Sequence, residues 1–126
     1  IRDTGVFCVN VVSEALKHQM NDSSAALPRD VDEFAAAGIA KAECATINAP
    51  RAADAPASLE CKLTQILELP GASNFAIFGE VTGIHMRDDC LHDGIFDVLR
   101  FNPVSRLGYR DFATVREVFS LNRPGE

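Results

Sequence analysis

The chain has 126 residues, of which 47% are hydrophobic and 24% are charged, a composition typical of one globular domain and not of a disordered segment. Its formal net charge of −6 disfavours nonspecific binding to nucleic acid or to an anionic membrane surface. No run of about 18 consecutive apolar residues occurs, so no membrane-spanning helix is predicted.

The first third of the chain predicts one strand followed by two short helices. "GVFCVNVVS" is β-branched and almost continuously apolar, which predicts a strand buried on both faces, with Asn10 as its polar interruption. "SEALKHQMND" has helical spacing, and Ser13 is its expected N-cap. Asp30 and Glu33 have the spacing of a capping box, so a second helix is predicted to begin there and to end at Gly38.

The remaining residues predict further strands. Residues 43–58 contain two prolines and predict a loop with a short edge strand. In "LECKLTQILEL" apolar residues alternate with polar residues such as Glu60 and Lys62, which predicts a strand with one face in solvent. The turn "PGASN" and the apolar run "FAIFGEVTGIHM" extend this strand into an antiparallel hairpin over residues 59–86, and "REVFSL" is a candidate last strand. We therefore expect a mostly antiparallel β-barrel with helical insertions, forming one domain over residues 1–126.

The chain lacks several familiar catalytic motifs. No glycine-rich dinucleotide loop, phosphate-binding loop, nucleophile elbow or zinc-binding motif occurs. The acidic residues between Asp88 and Asp93 are interpreted as a solvated turn, so no metal site is predicted. The four cysteines are widely spaced, which favours free thiols in a reducing, cytoplasmic compartment over the alternative of two disulfides.

Two groups of residues on predicted strands are candidates for a site. Gly79, Gly83 and His85 share one face of the second hairpin strand if no bulge intervenes. The glycines indicate either close packing against a neighbouring element or space for a flat ligand or a second chain. His85 is either a structural group or a hydrogen-bond donor to a cofactor or substrate. Asn10 requires hydrogen-bond partners, either backbone groups or ligand atoms.

The segment "NPVSRLGYRDFATV", residues 102–115, is the other candidate. Arg106 has the fork geometry that binds a phosphate or a carboxylate. Gly108 permits a backbone turn, and Tyr109 offers a flat face and a hydroxyl. The alternative is a surface turn in which Arg106 pairs with Asp111 and Tyr109 covers the core.

The order of these pieces resembles the flavin reductase-like family of FMN-binding split-barrel proteins. The resemblance is carried by "TGVFCVNVVS", "P-x-x-LEC", "GEV" followed by a histidine, and "P-x-x-RLG", in that order. It implies a split β-barrel, a homodimer, and a flavin, FMN or alternatively FAD, bound near the subunit interface. It also implies hydride transfer from NADH or NADPH to the flavin and, in some members, delivery of reduced flavin to a separate monooxygenase component.

The resemblance also implies roles for individual residues. Asn10, Arg106, Leu107 and Gly108 match positions near the flavin, and Tyr109 stands where many relatives have a second glycine. His85 matches a histidine close to the flavin or the nicotinamide and is the expected catalytic residue. Family members carry further strands before the position of "IRDTG", so we expect the chain to lack the N-terminal strands of the family domain.

The expected function is therefore that of an NAD(P)H:flavin oxidoreductase. The alternative is a non-catalytic carrier or sensor module that binds flavin or haem on the same split-barrel fold.

Overall fold

A computed structural model describes residues 1–125 of the chain, and antiparallel β-strands dominate it. The strands are β1 (Val6–Asn10), β2 (Lys41–Glu43), β3 (Pro50–Ala52), β4 (Ala57–Glu68), β5 (Phe75–Met86), β6 (Leu91–His92), β7 (Ile95–Phe96), β8 (Val104–Arg106) and β9 (Phe112–Thr114). The helices are α1 (Lys17–Asp22) and α2 (Glu33–Ala36), with 3₁₀ helices at Glu14–Leu16, Asp88–Cys90 and Val98–Arg100. A three-stranded sheet has the order β1-β4-β5, and the other strands pair as the hairpins β2-β3, β6-β7 and β8-β9.

The β4–β5 hairpin is the framework of the sheet and confirms the predicted hairpin. Each strand has 12 residues, and the two pair antiparallel from Ala57 opposite Met86 to Glu68 opposite Phe75. β1 pairs antiparallel with the first half of β4, so that Asn10 lies opposite Ser58. The apolar alternation of β4 and the turn residues between the strands account for this arrangement.

Two bulges divide the hairpin into segments that use different faces. The register shifts between Glu60 and Cys61, where Thr82 is the extra residue on β5, and between Leu63 and Gln65 on β4. Because side chains alternate along a strand, the first bulge reverses the face that the following residues use. The prediction that Gly79 and Gly83 share a face with His85 was conditional on an unbroken strand and is wrong: Gly83 and His85 lie on one face, and Gly79 lies on the other.

The helical region follows the prediction with two corrections. Ser13 precedes the Glu14–Leu16 turn without a side-chain capping bond; it forms instead a β-bridge with Pro103. The N-cap of α2 is Asp32, whose carboxylate accepts a hydrogen bond from the N–H of Phe34 at 3.1 Å, and not Asp30. Gly38 lies just beyond the helix in the left-handed region at φ 66°, as its position predicted.

The segment between α2 and β4 covers one face of the three-stranded sheet. It contains the β2–β3 hairpin, which confirms the predicted short edge strand, and its residue Ala52 hydrogen-bonds to the side chain of Asn10 on β1. We call the sheet face under this segment the covered face. The most deeply buried side chains of the chain include Ser58 and Glu60 on this face.

The opposite face of the sheet carries exposed apolar side chains. Val9 is 44% exposed, Val81 46% and Ile84 57%. The expectation that the first strand is buried on both faces is therefore wrong for Val9. The predicted last strand at "REVFSL" is also absent, because residues 115–121 form no strand. No helix within residues 1–125 combines the length and the hydropathy needed to cross a bilayer.

Candidate functional site

Asn10 and His85 are joined across the covered face through Ser58. Asn10 on β1 lies opposite Ser58 on β4, and Ser58 lies opposite His85 on β5. Residues that face each other in an antiparallel sheet project from the same face, and neighbouring strands are about 4.8 Å apart. Two residues predicted independently from the sequence therefore belong to one row at the end of the sheet.

The side-chain amide of Asn10 has a fixed orientation. Its Oδ1 accepts hydrogen bonds from the backbone N–H of Ala52 at 3.0 Å and from the hydroxyl of Ser58 at 2.8 Å. A backbone N–H can only donate, so the amide atom that faces Ala52 must be the oxygen. The amide nitrogen Nδ2 is consequently a directed donor, and it has no protein acceptor among the described residues.

An apolar pocket of about 260 Å³ lies beside Asn10. It is bounded by the residues after β1, by α1 and α2, and by the β3 region; its walls include Val12, Met20 and Phe34. Apolar walls with a few well-placed polar groups are typical of small-molecule sites. The pocket therefore offers a flat apolar group a dry surface and offers one polar edge the donor of Asn10.

Glu60 is the most deeply buried charged residue on the covered face, which corrects the prediction that it lies on a solvent-facing side of β4. Its side chain is 0% exposed, and its carboxylate accepts from the N–H of Ala45 at 2.7 Å and the N–H of Thr46 at 2.6 Å. The Thr46 hydroxyl donates a third bond at 2.5 Å, and His85 Nε2 bonds to the other side of the carboxylate. Burial raises the pKa of Glu60, but the hydrogen bonds from Thr46, Ala45 and His85 outweigh it and lower the pKa to about 2. Glu60 is therefore ionised, and its carboxylate accepts hydrogen bonds at both oxygens. It lies next to the row, on the same face of the sheet.

The carboxylate of Glu60 fixes the imidazole of His85. Because the carboxylate only accepts, Nε2 carries the proton in this bond and Nδ1 is the second ring nitrogen. Nδ1 has no partner within the described part of the chain, and the side chain is 29% exposed at a cleft beside β3. Nε2 is thus a structural donor, as the first interpretation has it, and Nδ1 is an accessible acceptor. A contact between His85 and a cofactor or substrate remains a prediction.

The glycines of β5 are explained by packing within the chain. A Cβ on Gly79 would lie 2.6 Å from the ring of Phe7 and 3.1 Å from the backbone oxygen of Lys62. A Cβ on Gly83 would lie 3.0 Å from the carboxylate carbon of Glu60. Of the two alternatives given for these glycines, close packing is therefore the one observed, since side chains of the chain itself occupy the space beside them.

The turn after β8 holds the other predicted cofactor residues. The guanidinium carbon Cζ of Arg106 lies 4.7 Å from the ring centroid of Phe112, and its Nη2 donates to the backbone oxygen of Tyr109. The predicted alternative, an ion pair between Arg106 and Asp111, is not formed. Tyr109 is 96% exposed, so it does not cover the core, and it has φ 56°. The left-handed residue of this turn is thus Tyr109 and not Gly108, at the position where the resemblance implies a second glycine.

This turn is separate from the row of Asn10 and His85. None of Arg106, Leu107, Gly108 and Tyr109 lines the apolar pocket or the cleft beside His85. The base of the turn is nevertheless attached to the pocket wall, because the N–H of Val104 donates to the backbone oxygen of Val12 at 3.0 Å. A role for these four residues in cofactor binding remains a prediction.

Sequence reasoning missed Glu60 on the covered face and Thr46 and Arg51 in the segment above it. The signal for Glu60 lay in its place among apolar residues of β4, but its partners come from residues 45, 46 and 85, far away in the chain. Arg51 follows a proline in a segment interpreted as a loop, and no local pattern marked it.

Comparison with known proteins identifies the family. Residues 1–104 match the model of the flavin reductase like domain. An uncharacterized protein of Halalkalibacterium halodurans is 33% identical over 128 aligned residues, which cover 98% of this chain and 61% of that protein. The chain thus spans about three-fifths of the length of this relative.

Solved structures show the same fold. Component B of nitrilotriacetate monooxygenase from Bacillus cereus superimposes with a TM-score of 0.87 at 25% identity, over 95% of this chain and 61% of that one. The 2-nitrobenzoate 2-nitroreductase of Pseudomonas fluorescens gives 0.85 at 26% identity, over 99% and 62%. A protein with a split-barrel domain from Shewanella frigidimarina gives 0.83 at 22% identity, over 95% and 61%, and supports the fold. The chain has the split-barrel fold and belongs to the flavin reductase-like family.

Proposed function

We propose that this chain is the flavin-binding part of an FMN-dependent oxidoreductase that transfers hydride from NAD(P)H to bound flavin. The observation that carries the proposal is the fixed amide of Asn10, which directs an unpaired donor beside an apolar pocket in a chain of the flavin reductase-like family. FMN is the expected flavin, and FAD would present the same ring.

The residues present fit a flavin ring. The ring is flat and apolar along one side and carries hydrogen-bond acceptors along the other, which matches apolar walls such as Val12 and Phe34 and the donor of Asn10. The volume of about 260 Å³ is smaller than the roughly 300–1,000 Å³ of ordinary ligand pockets. The pocket would therefore hold part of the ring and leave the rest accessible.

The chain contributes position and polarity in this mechanism. The flavin, when bound, supplies the two-electron chemistry. Asn10 donates Nδ2–H to the polar edge of the ring, and the apolar walls exclude water from the reacting face. Glu60 holds the imidazole of His85 so that Nδ1 is available to orient the nicotinamide. The chain would need to supply no general base, because flavin and nicotinamide would themselves supply the redox chemistry.

The turn around Arg106 is proposed as a second contact with the cofactor. Leu107, Gly108 and Tyr109 shape the turn, and the guanidinium of Arg106 would bind the flavin phosphate. Replacing Arg106 with alanine should weaken FMN binding by roughly 1–3 kcal/mol if it pairs with a charged group. Unchanged affinity would show that residues 106–109 form a surface turn only.

We further propose that the protein is a homodimer. The exposed apolar side chains of Val9, Val81 and Ile84 form a contiguous patch of the kind that a second chain covers. Light scattering after size-exclusion chromatography should give twice the mass of the chain. The Ile84→Glu variant should shift it toward the monomer, and a monomeric wild type at high micromolar concentration would overturn the assignment.

Two wider proposals follow from the relatives. Component B of a monooxygenase is among the similar structures, which supports delivery of reduced flavin to a separate monooxygenase component. The four unpaired thiols support a reducing, cytoplasmic location.

Anaerobic reduction tests the main proposal. The purified chain is mixed with FMN and then with NADH or NADPH, and the visible absorption of oxidised flavin is followed. Bleaching faster than in a protein-free control supports the oxidoreductase. Tight FMN binding without bleaching supports the carrier alternative, and no FMN binding at micromolar concentration overturns both.

A further inference from the structure

A basic cleft lies next to the row of Asn10 and His85 and is distinct from the apolar pocket. It has a volume of about 340 Å³ and lies between the β3 region and the end of β5. Arg51, His85 and Arg87 line it, together with Ala53, Ala55, Ile84 and Met86. Since one water occupies about 30 Å³ in the liquid, the cleft has room for a group of several non-hydrogen atoms. Ala55 lines both the cleft and the apolar pocket, so the two cavities adjoin.

The two arginines of the cleft differ in how their charge is used. Arg87 donates through Nε and Nη2 to both carboxylate oxygens of Asp89 and through Nη1 to the backbone oxygen of Asp54. The carboxylate of Asp54 is the other acidic group near this guanidinium. Arg87 is therefore a neutralised and rigid wall of the cleft.

Arg51 is charged and carries no counter-ion. None of the ion pairs within residues 1–125 includes it. Its Nε donates to the backbone oxygen of Glu43 at 3.2 Å, which anchors the guanidinium to the β2–β3 hairpin. The two terminal nitrogens remain uncommitted to described residues, and a guanidinium in this state presents a ready fork to a planar or tetrahedral anion.

His85 adds a second nitrogen to the same cleft. Glu60 holds Nε2, so Nδ1 is the ring atom left for a ligand. Of the acidic side chains around the cleft, Glu60 and Asp89 already accept bonds from His85 and Arg87, and Asp54, between the lining residues Ala53 and Ala55, lies near the guanidinium of Arg87. The uncompensated positive charge of the cleft is therefore that of Arg51, and His85 Nδ1 adds a hydrogen-bond acceptor.

We propose that this cleft binds an anionic oxygen group, a carboxylate or a phosphate, of the molecule that exchanges electrons with the flavin. Arg51 forms the fork and Arg87 supplies the wall, while His85 Nδ1, which carries no proton when Nε2 donates to Glu60, accepts from a donor group of the same molecule. The statement that the bound molecule exchanges electrons with the flavin rests on the proposed function. The statement that the cleft binds an anion rests only on the residues that line the cleft. Because the cleft adjoins the apolar pocket, a molecule held by its anionic end would extend toward the flavin.

A titration without flavin tests the site independently of the function. The isotopically labelled chain is titrated by NMR with benzoate in one series and with inorganic pyrophosphate in another, and the Arg51 side-chain and His85 ring resonances are followed. Saturating shifts at both residues are expected, with the tighter probe identifying a carboxylate or a phosphate source. The affinity should fall about tenfold in Arg51→Gln. Arg123→Gln, which removes the same charge from an exposed position near the end of the chain, should leave it unchanged.

The outcomes separate the two proposals. No saturating shift with either probe, or equal weakening in Arg51→Gln and Arg123→Gln, overturns the anion site. Saturating shifts together with no flavin reduction leave the cleft established and remove the oxidoreductase. Flavin reduction with the same KM for the reductant in wild type and Arg51→Gln overturns the link between the cleft and the electron donor. The dispersed amide spectrum of Arg51→Gln verifies that the variant is folded, and Arg51→Lys, which keeps the charge but loses the fork, should bind with intermediate affinity.

Discussion

Replacing Asn10 separates its structural bonds from its proposed contact with flavin. In Asn10→Ala the N–H of Ala52 and the hydroxyl of Ser58 lose their acceptor, and both residues are at most 9% exposed. Leaving buried polar groups unpaired costs about 1–3 kcal/mol, so we expect the free energy of unfolding to fall by about 2 kcal/mol. With an m-value of about 2 kcal/mol per molar, the midpoint of urea unfolding should fall by about 1 M.

Asn10→Asp tests the role of the amide nitrogen Nδ2. The carboxylate keeps an acceptor for Ala52 and Ser58, but an oxygen replaces Nδ2, so the donor of this lining residue is lost. We expect a urea midpoint near that of the wild type at neutral pH and FMN affinity about tenfold weaker, measured by quenching of FMN fluorescence. Asn48→Ala, at an exposed loop position, is the control for both assays. An unchanged midpoint in Asn10→Ala, or FMN binding by Asn10→Asp as tight as in the wild type, would refute the reasoning.

Three further substitutions and one control, Gly108→Ala, test the site and its framework by urea unfolding. The pKa of Glu60 is lowered to about 2 in the folded protein, so its contribution to stability is present above the unfolded value of 4.5 and is lost as the pH falls toward 2. The difference in midpoint between wild type and Glu60→Gln should therefore shrink over that window, and a difference independent of pH would contradict the ionised state. Tyr109→Gly should raise stability by about 1 kcal/mol, because it removes a side chain from a backbone at φ 56°; a lower midpoint would show that the tyrosine makes a stabilising contact. Gly79→Ala should destabilise the protein by about 1–3 kcal/mol, because the new Cβ overlaps the Phe7 ring. Gly108→Ala should be neutral, because no atom lies within 4 Å of the new Cβ. Equal effects of the two substitutions would rule out the packing explanation.

The sequence predicted the hairpin well because its signals are local. The alternation in β4 and the turn between residues 70 and 74 depend on neighbouring residues, and the structure confirms both strands. The sequence prediction placed the N-cap of α2 at Asp30, whereas the structure has it at Asp32. The pattern did not distinguish the two positions, because both are aspartates shortly before Phe34. Local patterns locate an element more reliably than its first residue.

The site depended on contacts that no local pattern contains. Glu60 was assigned to solvent because a charged residue in an alternating strand ordinarily faces water, but donors from residues 45 and 46 make its burial favourable. Asn10 and His85 were identified one at a time. Their place in one row became visible only with the register of β1, β4 and β5.

Because Thr82 is the extra residue of a bulge, the arrangement of the site depends on the number of residues in β5. Deleting it would restore regular alternation and turn Gly83 and His85 away from the carboxylate of Glu60. Loss of one residue at this point would thus move His85 away from Glu60, although no residue of the site would be substituted. Relatives that preserve the histidine but differ in strand length by one residue would be expected to place it on the other side of the sheet.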